Sequence, residues 1–163
     1  MQEHTNTNLT AFGSRLRRLL ERMDREVLAV YRAADERFEP RWYGVFASLR
    51  NDGPLTVGDL SRRLGISHPA VSQIRSALEA QGLIRGLADP RDGRRQVLSL
   101  TDEGRETAIR LEPLWTAIAA AVGEILAEHA PTLLPELDAL EQAIDRRGLA
   151  ARVRATLDRD IAE

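Results

Sequence analysis

The stretch from Gly53 to Arg105 decides the fold, and it reads GPLTVGDLSRRLGISHPAVSQIRSALEAQGLIRGLADPRDGRRQVLSLTDEGR. Thr56 is placed as the N-cap of a short helix, and Gly65 can supply the left-handed residue that ends it. Apolar residues then restart at helical spacing, with Ser67 as the next N-cap and Gly82 as the terminator. Two short helices joined by a tight turn predict a helix-turn-helix.

A β-hairpin is predicted directly after these helices. Residues 83–88 and 96–100 favour strands, and Asp89-Pro90-Arg91-Asp92-Gly93 between them is typical of a hairpin tip. Thr101 then caps a further helix whose first turn holds two acidic residues, where the helix dipole favours anions. A hairpin beside a helix-turn-helix predicts a winged helix, so the fold class is mainly α with a small β-hairpin wing.

Long amphipathic segments flank the predicted wing and helix-turn-helix. Apolar residues recur every three or four positions from Phe12 to Ala34, which predicts a helix over about residues 9–36. The C-terminal third continues the helix that begins after Thr101, with Pro113 inside it as an expected kink, and a terminal helical segment broken near Gly148 follows. Because apolar faces at both ends need a partner, these segments predict dimerisation.

We therefore predict one intertwined domain in three parts. Residues 1–36 form an N-terminal dimerisation helix, residues 37–105 form the winged helix-turn-helix DNA-binding lobe, and residues 106–163 form a C-terminal linker and dimerisation helices.

Composition excludes several classes of function. The chain has 163 residues, a net charge of −2 and no cysteine, so it can form neither a disulfide framework nor a thiolate metal site. The three histidines lie far apart, and no metal-protease, phosphate-loop or nucleophile motif is present. We predict no enzyme activity, no cofactor and no metal. With no signal peptide and no long apolar run, a cytoplasmic protein without membrane contact is expected.

Local charge favours double-stranded DNA as the partner. Residues 61–95 hold seven arginines against three acidic residues, although the chain as a whole is not basic. If the apolar face of the second short helix is buried, its polar residues point outward, with Arg75 on the flank. The predicted DNA contacts are Arg62, Arg63, Ser67, His68, Pro69, Ser72, Gln73, Arg75, Ser76 and the wing residues Arg91, Arg94 and Arg95. Asp92 is expected to pair with a wing arginine and stiffen the tip.

The same residues carry a resemblance to the MarR family of bacterial regulators. The matching motifs span residues 53–105, about a third of the chain, and are Leu55-Thr56-Val57, Ala70-Val71-Ser72-Gln73, Leu78-Glu79-Ala80-Gln81-Gly82-Leu83, Asp89-Pro90-Arg91-Asp92-Gly93-Arg94 and Leu100-Thr101-Asp102-Glu103-Gly104. The resemblance implies a homodimer on a palindromic site, usually a repressor released by a small ligand, with Arg94 or Arg91 in the minor groove. Gln73 and Arg75 depart from the residues that the family often has there, so base preference is not transferred.

The resemblance also implies an effector pocket between the dimer helices and the DNA-binding lobe. In this sequence that position corresponds to Trp42, Tyr43, Phe46 and Trp115, with Arg41 as an anchor for a carboxylate. The alternative to a pocket is that the aromatic residues belong to the core and that Arg41 forms a surface ion pair. Two alternatives to the regulator remain open, namely a winged-helix module for protein–protein contact without specific DNA binding, and a metabolic enzyme or ligand-storage protein using the Trp42-Tyr43 region.

Overall fold

The computed structural model describes residues 11–34, 36–89 and 92–162, without the side chains of residues 89, 92–95 and 160–162. Seven α-helices and two strands follow one another in the described residues. Their bounds are α1 Phe12–Ala33, α2 Tyr43–Asp52 after a 3-10 turn at Pro40–Trp42, α3 Val57–Leu64, α4 His68–Ala80, β1 Ile84–Asp89, β2 Asp92–Leu100, α5 Asp102–His129, α6 Leu133–Arg146 and α7 Leu149–Ala162. The mainly helical fold with a two-strand antiparallel hairpin wing is confirmed.

Side-chain caps fix where the helix-turn-helix begins and turns. The Thr56 hydroxyl accepts a hydrogen bond from the Asp59 amide at 3.1 Å, and the Asp59 carboxylate in turn accepts one from the Thr56 amide at 3.2 Å. This reciprocal capping box satisfies amides that the first turn leaves without partners. Gly65 ends α3 at φ 64°, and the Ser67 hydroxyl then accepts a hydrogen bond from the Ala70 amide at the start of α4. The predicted caps are confirmed.

The wing is anchored to the helices through its second strand. β1 and β2 pair antiparallel, with Ile84 opposite Leu100. On its other side β2 forms a bridge to the α2–α3 connection, where the Leu98 amide donates to the Leu55 carbonyl at 2.8 Å and the Leu55 amide donates back at 3.1 Å. Because Leu98 is fully buried, both hydrogen bonds and apolar contacts hold the base of the wing.

An aromatic cluster forms the part of the core nearest α1. The ring centroid of Phe38 lies 5.4 Å from that of Tyr31, 5.6 Å from that of Trp42 and 5.3 Å from that of Phe46, all in edge-to-face arrangements. This geometry is favoured by the ring quadrupoles. The remaining core residues of the segment up to Pro113 come from α2, α3, α4, the wing and the start of α5, and are Val45, Leu49, Leu60, Val71, Leu78, Leu83, Ile84, Val97, Leu98, Leu100, Ala108 and Leu111.

A tight junction joins the end of α4 to the start of α5. The Thr101 hydroxyl donates to the Gly82 carbonyl at 2.6 Å and accepts from the Gly104 amide at 2.9 Å, so it also caps α5. A Cβ on Gly104 would lie 2.0 Å from the Leu83 carbonyl oxygen. Only glycine permits this approach, because no other residue lacks a Cβ.

The chain divides into two compact units, residues 1–113 and residues 114–163. In the second unit α5 continues to His129 and α6 and α7 follow, separated by a break at Arg147 and Gly148 as the sequence predicts. Arg152 closes this break, because its guanidinium donates to the carbonyls of Arg147 at 2.9 Å and Ala143 at 3.0 Å. No residue of α6 is buried.

A helix that crosses a membrane must be both long enough and apolar enough to span the bilayer. No single helix in the described ranges meets both requirements; α5 and α6, a bent pair, meet them only when taken together, which is weak evidence because core helices of globular proteins do the same.

Candidate nucleic-acid interface

Helix α4 presents a polar surface because its apolar residues are turned inward. Val71 and Leu78 are fully buried, and Ile74 is half-buried. The opposite face is exposed over its first three turns and carries Ser67, His68, Pro69, Ser72, Gln73 and Ser76. The structure therefore brings all six of these predicted contact residues together on one face.

The polar groups on this face differ in how free they are to bind a ligand. The Ser76 hydroxyl donates to the Ser72 carbonyl at 3.0 Å, so its proton is already used within the helix. The Gln73 amide makes no hydrogen bond within the described part of the chain. An amide can donate to and accept from one adenine edge at the same time, which makes Gln73 suited to base recognition in a major groove.

The two arginines of α3 are both held by carboxylates. Arg62 pairs with Asp59 one turn earlier, and Arg63 pairs with Asp52 at the end of α2, with 2.9 Å between nitrogen and oxygen. The side chain of Arg62 is 78% exposed, and that of Arg63 is 51% exposed. Ion pairs at such exposure are weak, so both guanidinium groups remain available to phosphates.

Arg75 behaves differently from the other predicted contacts. Its Nε donates to the Glu79 Oε1 at 3.0 Å, and its side chain is only 27% exposed. It lies on the flank of α4, as the sequence predicts, and it is directed towards Gly86 in β1.

The tip of the wing lies outside the described residues. Arg91 and the side chains of Asp92, Arg94 and Arg95 belong to this part, so their predicted roles stay predictions. Sequence reasoning left out a further arginine, Arg85 of β1, which is exposed and forms no ion pair within the described ranges. Its position directly after the apolar Ile84, which is buried, was the signal that could have revealed it, because neighbouring residues of a strand point to opposite faces.

The residues predicted for an effector pocket do not share one environment. Trp42 and Phe46 are buried in the aromatic cluster, and Trp115 is buried as well. Tyr43 is 46% exposed. Arg41 pairs with Glu39 at 2.6 Å on the surface, which favours the ion-pair alternative. The buried indole N–H of Trp42 finds no acceptor among the described residues.

A cleft of about 560 Å³ lies elsewhere, between the end of α2, the end of β2 and the first turns of α5. Most of its lining is apolar, and it includes Leu49, Leu100, Ala108 and Ile109. Its polar lining includes two arginines. Arg50 pairs with Glu112 across the cleft, and Arg105 pairs with Asp102 and donates to the Leu100 carbonyl at 3.0 Å; the remaining lining residues are Gly53, Pro54 and Ser99.

An ion pair holds the segment before α2 against α5. The Arg110 Nε donates to a carboxylate oxygen of Glu36 at 2.7 Å. This hydrogen bond is the main cause that raises the pKa of the Arg110 guanidinium above its ordinary value. Among the described residues no group of three or more His, Asp or Glu side chains is arranged to hold a metal ion.

Comparison with known proteins agrees with this geometry. The sequence profile of the MarR family matches residues 38–95. No curated protein sequence matches the chain significantly.

Solved structures with the same fold cover most of the chain. The transcriptional regulator PcaV from Streptomyces coelicolor, solved with its natural ligand, is 24% identical with a TM-score of 0.64 and covers 85% of this chain and 94% of its own. NMB1585, a MarR family regulator from Neisseria meningitidis, is 22% identical with a TM-score of 0.58 over 85% and 94%. Bordetella bronchiseptica BpsR, whose DNA binding is regulated by 6-hydroxynicotinic acid, is 21% identical with a TM-score of 0.58 over 78% and 91%.

A capped helix-turn-helix with a polar outer face and a hairpin wing beside it defines a winged-helix fold. The family match falls on this part of the chain. Residues 38–95 match the MarR family model, and the chain shares the fold of solved MarR-like winged-helix structures.

Proposed function

We propose that the protein is a ligand-responsive repressor that binds a palindromic operator as a homodimer. The observation that carries the proposal is the outer face of α4, where Ser72 and Gln73 project while Val71 and Leu78 hold the helix on the core. A rigidly seated helix with short polar side chains is what a major groove accommodates.

A second copy of the chain is the partner that the flanking helices favour. On α1, large apolar side chains are between 38% and 61% exposed, and they are Phe12, Leu16, Leu19, Leu20, Met23 and Val30. On the C-terminal helices the exposed apolar side chains are Ile125, Leu134, Leu140, Ile144, Leu149, Val153 and Leu157. Contiguous apolar surface of this kind marks a protein interface.

Charge on these helices supports pairing between copies. Alongside the apolar stripe, α1 carries Arg15, Arg18, Arg22 and Arg25, which form no ion pair among the described residues. Helix α6 is acidic, with Glu136, Asp138, Glu141 and Asp145. Opposite charges beside apolar stripes favour α1 of one copy against α6 of another. The proposed dimerisation segments are residues 1–36 and 106–163, flanking the lobe of residues 37–105.

A dimer with two-fold symmetry dictates the form of the operator. Two α4 helices in successive major grooves on one face of the duplex require half-sites about 34–36 Å apart, and inverted in sequence. We assign the exposed residues of α4 to the bases, and Arg62 and Arg63 to phosphates. The wing residues Arg91, Arg94 and Arg95 reach the minor groove or its phosphates in this arrangement.

The ligand is proposed to be a small aromatic acid. BpsR responds to 6-hydroxynicotinic acid, which is a carboxylic acid. The cleft beside Arg50 and Arg105 joins an apolar lining to two guanidinium groups, and its volume is sufficient for such a molecule. A ligand that binds one spacing of the two α4 helices better than the other shifts the dimer towards that spacing and changes operator affinity.

The experiment that tests this proposal is selection of binding sites from random duplex DNA near physiological salt. We expect enrichment of an inverted repeat with half-sites one turn apart. Adding 6-hydroxynicotinic acid or benzoic acid to the purified complex should then release the DNA, and Arg105→Ala should blunt that release without weakening binding in the absence of acid. Binding without enrichment, strongly dependent on salt, would leave only contact with phosphates and refute the operator.

A further inference from the structure

Arg75 and Glu79 of α4 meet the wing at Gly86 of β1. A Cβ on Gly86 would lie 3.2 Å from the Arg75 Nη2, which is closer than an ordinary van der Waals contact. The same Cβ position lies 3.6 Å from the Glu79 Oε1 and 3.7 Å from the Gln96 Oε1 of β2. Polar groups from α4 and from β2 therefore gather over a single point on the backbone of β1.

The Arg75 and Glu79 side chains hold each other in place and are partly shielded from water. Arg75 and Glu79 are joined by a 3.0 Å hydrogen bond one helical turn apart, and their side chains are 27% and 32% exposed. Charges with reduced access to water interact more strongly than fully exposed ones. Because Gly86 has no side chain, the guanidinium can lie directly against the strand.

A base contact by Arg75 would require this arrangement to break. The guanidinium would have to leave Glu79, and the carboxylate would then remain unpaired close to DNA phosphates. Like charges at that distance weaken binding. Arg75 is thus better placed to hold the wing than to read a base.

We propose that Arg75 and Glu79 form a clamp that fixes the wing relative to the recognition helix α4. Arg75 is a positioning residue in this view, and Glu79 holds its guanidinium over Gly86. The clamp sets where the wing tip lies when α4 enters the major groove. The inference rests on the proposed contact between the wing and DNA for its effect on affinity, although not for its effect on the wing itself.

Glu79→Gln distinguishes the clamp from a direct DNA contact, because the two roles of Arg75 predict opposite changes in the affinity for DNA. If Arg75 contacts DNA, removing the Glu79 charge frees a cation and tightens binding. If the clamp operates, Glu79→Gln releases the guanidinium, loosens the wing and weakens binding. Glu124→Gln in α5 changes the net charge equally and lies in the other unit, so it serves as the matched control.

The first measurement is amide hydrogen exchange on the DNA-free protein. Arg75→Gln and Glu79→Gln should each speed exchange in residues 84–88 and 96–100 about tenfold, as expected for loss of a coupled pair. Glu124→Gln should leave these amides unchanged. Equal exchange in all four proteins would overturn the clamp whether or not the protein binds an operator.

The second measurement is affinity for the selected operator at several salt concentrations. Each single variant should bind about tenfold more weakly, and the double variant should be no weaker than the worse single one, since both remove the same interaction. Tighter binding by Glu79→Gln, or a loss in Arg75→Gln confined to one base pair, would overturn the clamp in favour of base recognition. Failure of the wild type to select any operator would count against the proposed function alone, because the exchange result decides the clamp independently.

Discussion

The lobe of residues 37–105 and the helices α6 and α7 use their apolar residues in opposite ways. In the lobe, Phe46, Leu60 and Leu98 are fully buried within the same chain. In α6 and α7, leucine and valine recur at the same helical spacing, yet Leu149 is 70% exposed and no residue of α6 is buried. Apolar periodicity predicts a helix in both regions, but it does not reveal whether the surface that covers the helix belongs to the same chain.

The ends of the helices differ in the same way. Helices α3, α4 and α5 are capped by Thr56, Ser67 and Thr101, and each hydroxyl accepts a hydrogen bond from an amide in the first turn. Helices α1 and α6 begin without a side-chain cap. Helix α2 of the lobe also begins without a side-chain cap. The local capping signals therefore lie in the helix-turn-helix and at the start of α5, whereas α1 and α6 depend more on packing against a partner.

The largest effect is expected from breaking the proposed interface on α1. Leu20→Asp should lower dimer affinity more than about 100-fold, because an unpaired charge in a buried interface costs at least about 3 kcal/mol. Light scattering after size exclusion measures this. Ser14→Asp adds the same charge on the opposite face of α1 and should leave the dimer intact. If the Leu20→Asp protein stays dimeric, the dimer interface does not lie on this face of α1.

Inside the lobe, Gly104→Ala should destabilise the fold by about 3 kcal/mol, since the added Cβ meets a backbone oxygen that cannot move aside. The matched control is Gly123→Ala on the same helix, where a Cβ meets nothing within 4 Å. That change should stabilise α5 by about 0.5–1 kcal/mol. Thermal unfolding of the Gly104→Ala and Gly123→Ala proteins measures the difference. Similar melting temperatures would show that the backbone at Leu83 can move aside.

The next largest effect is expected on the exposed polar face of α4. Gln73→Ala should reduce discrimination at particular base pairs by about 1–3 kcal/mol while leaving the melting temperature unchanged. Gln81→Ala, just beyond the other end of α4, should alter neither. Site selection repeated with each variant gives the measurement. A uniform loss of affinity over all sequences would instead make Gln73 a phosphate contact.

The smallest effect concerns the caps. Thr56→Ala should lower the free energy of unfolding by about 1 kcal/mol, because it removes the capping box of α3. Thr132 precedes α6 without capping it, so Thr132→Ala should have a smaller effect. Denaturant unfolding of both variants makes the comparison. Equal losses would mean that the cap is not what distinguishes the lobe from the flanking helices.

Most of the lobe was predictable because its signals are local. Thr56, Gly65 and Ser67 act on the backbone of residues close to them in the chain, so their effect can be predicted from the sequence. The exposed face of α4 followed from periodicity alone. The predicted ends of α1 lay about three residues beyond Phe12 and Ala33, as is usual where no cap marks the boundary.

The sites that depend on distant contacts were harder to predict. Helical spacing of aromatic residues such as Trp42 and Phe46 favours a core, whereas the family resemblance implies a pocket there, and the structure places both residues in the core. Arg75 looked like a candidate for DNA contact because its spacing puts it on the flank of α4. Its neighbour Gly86 is eleven residues away and lies on a strand, so no helical pattern relates the two.

The sequence by itself determined the order of elements, the helix-turn-helix with its caps, the hairpin and the polar face of α4, because each arises from interactions within a few residues. The tertiary structure alone decided that Gly104 lies against the Leu83 carbonyl, that the cleft is formed beside Arg50 and Arg105, and that Arg75 faces the wing. These features depend on close approaches between elements far apart in the chain, and such distances are set only when the core packs.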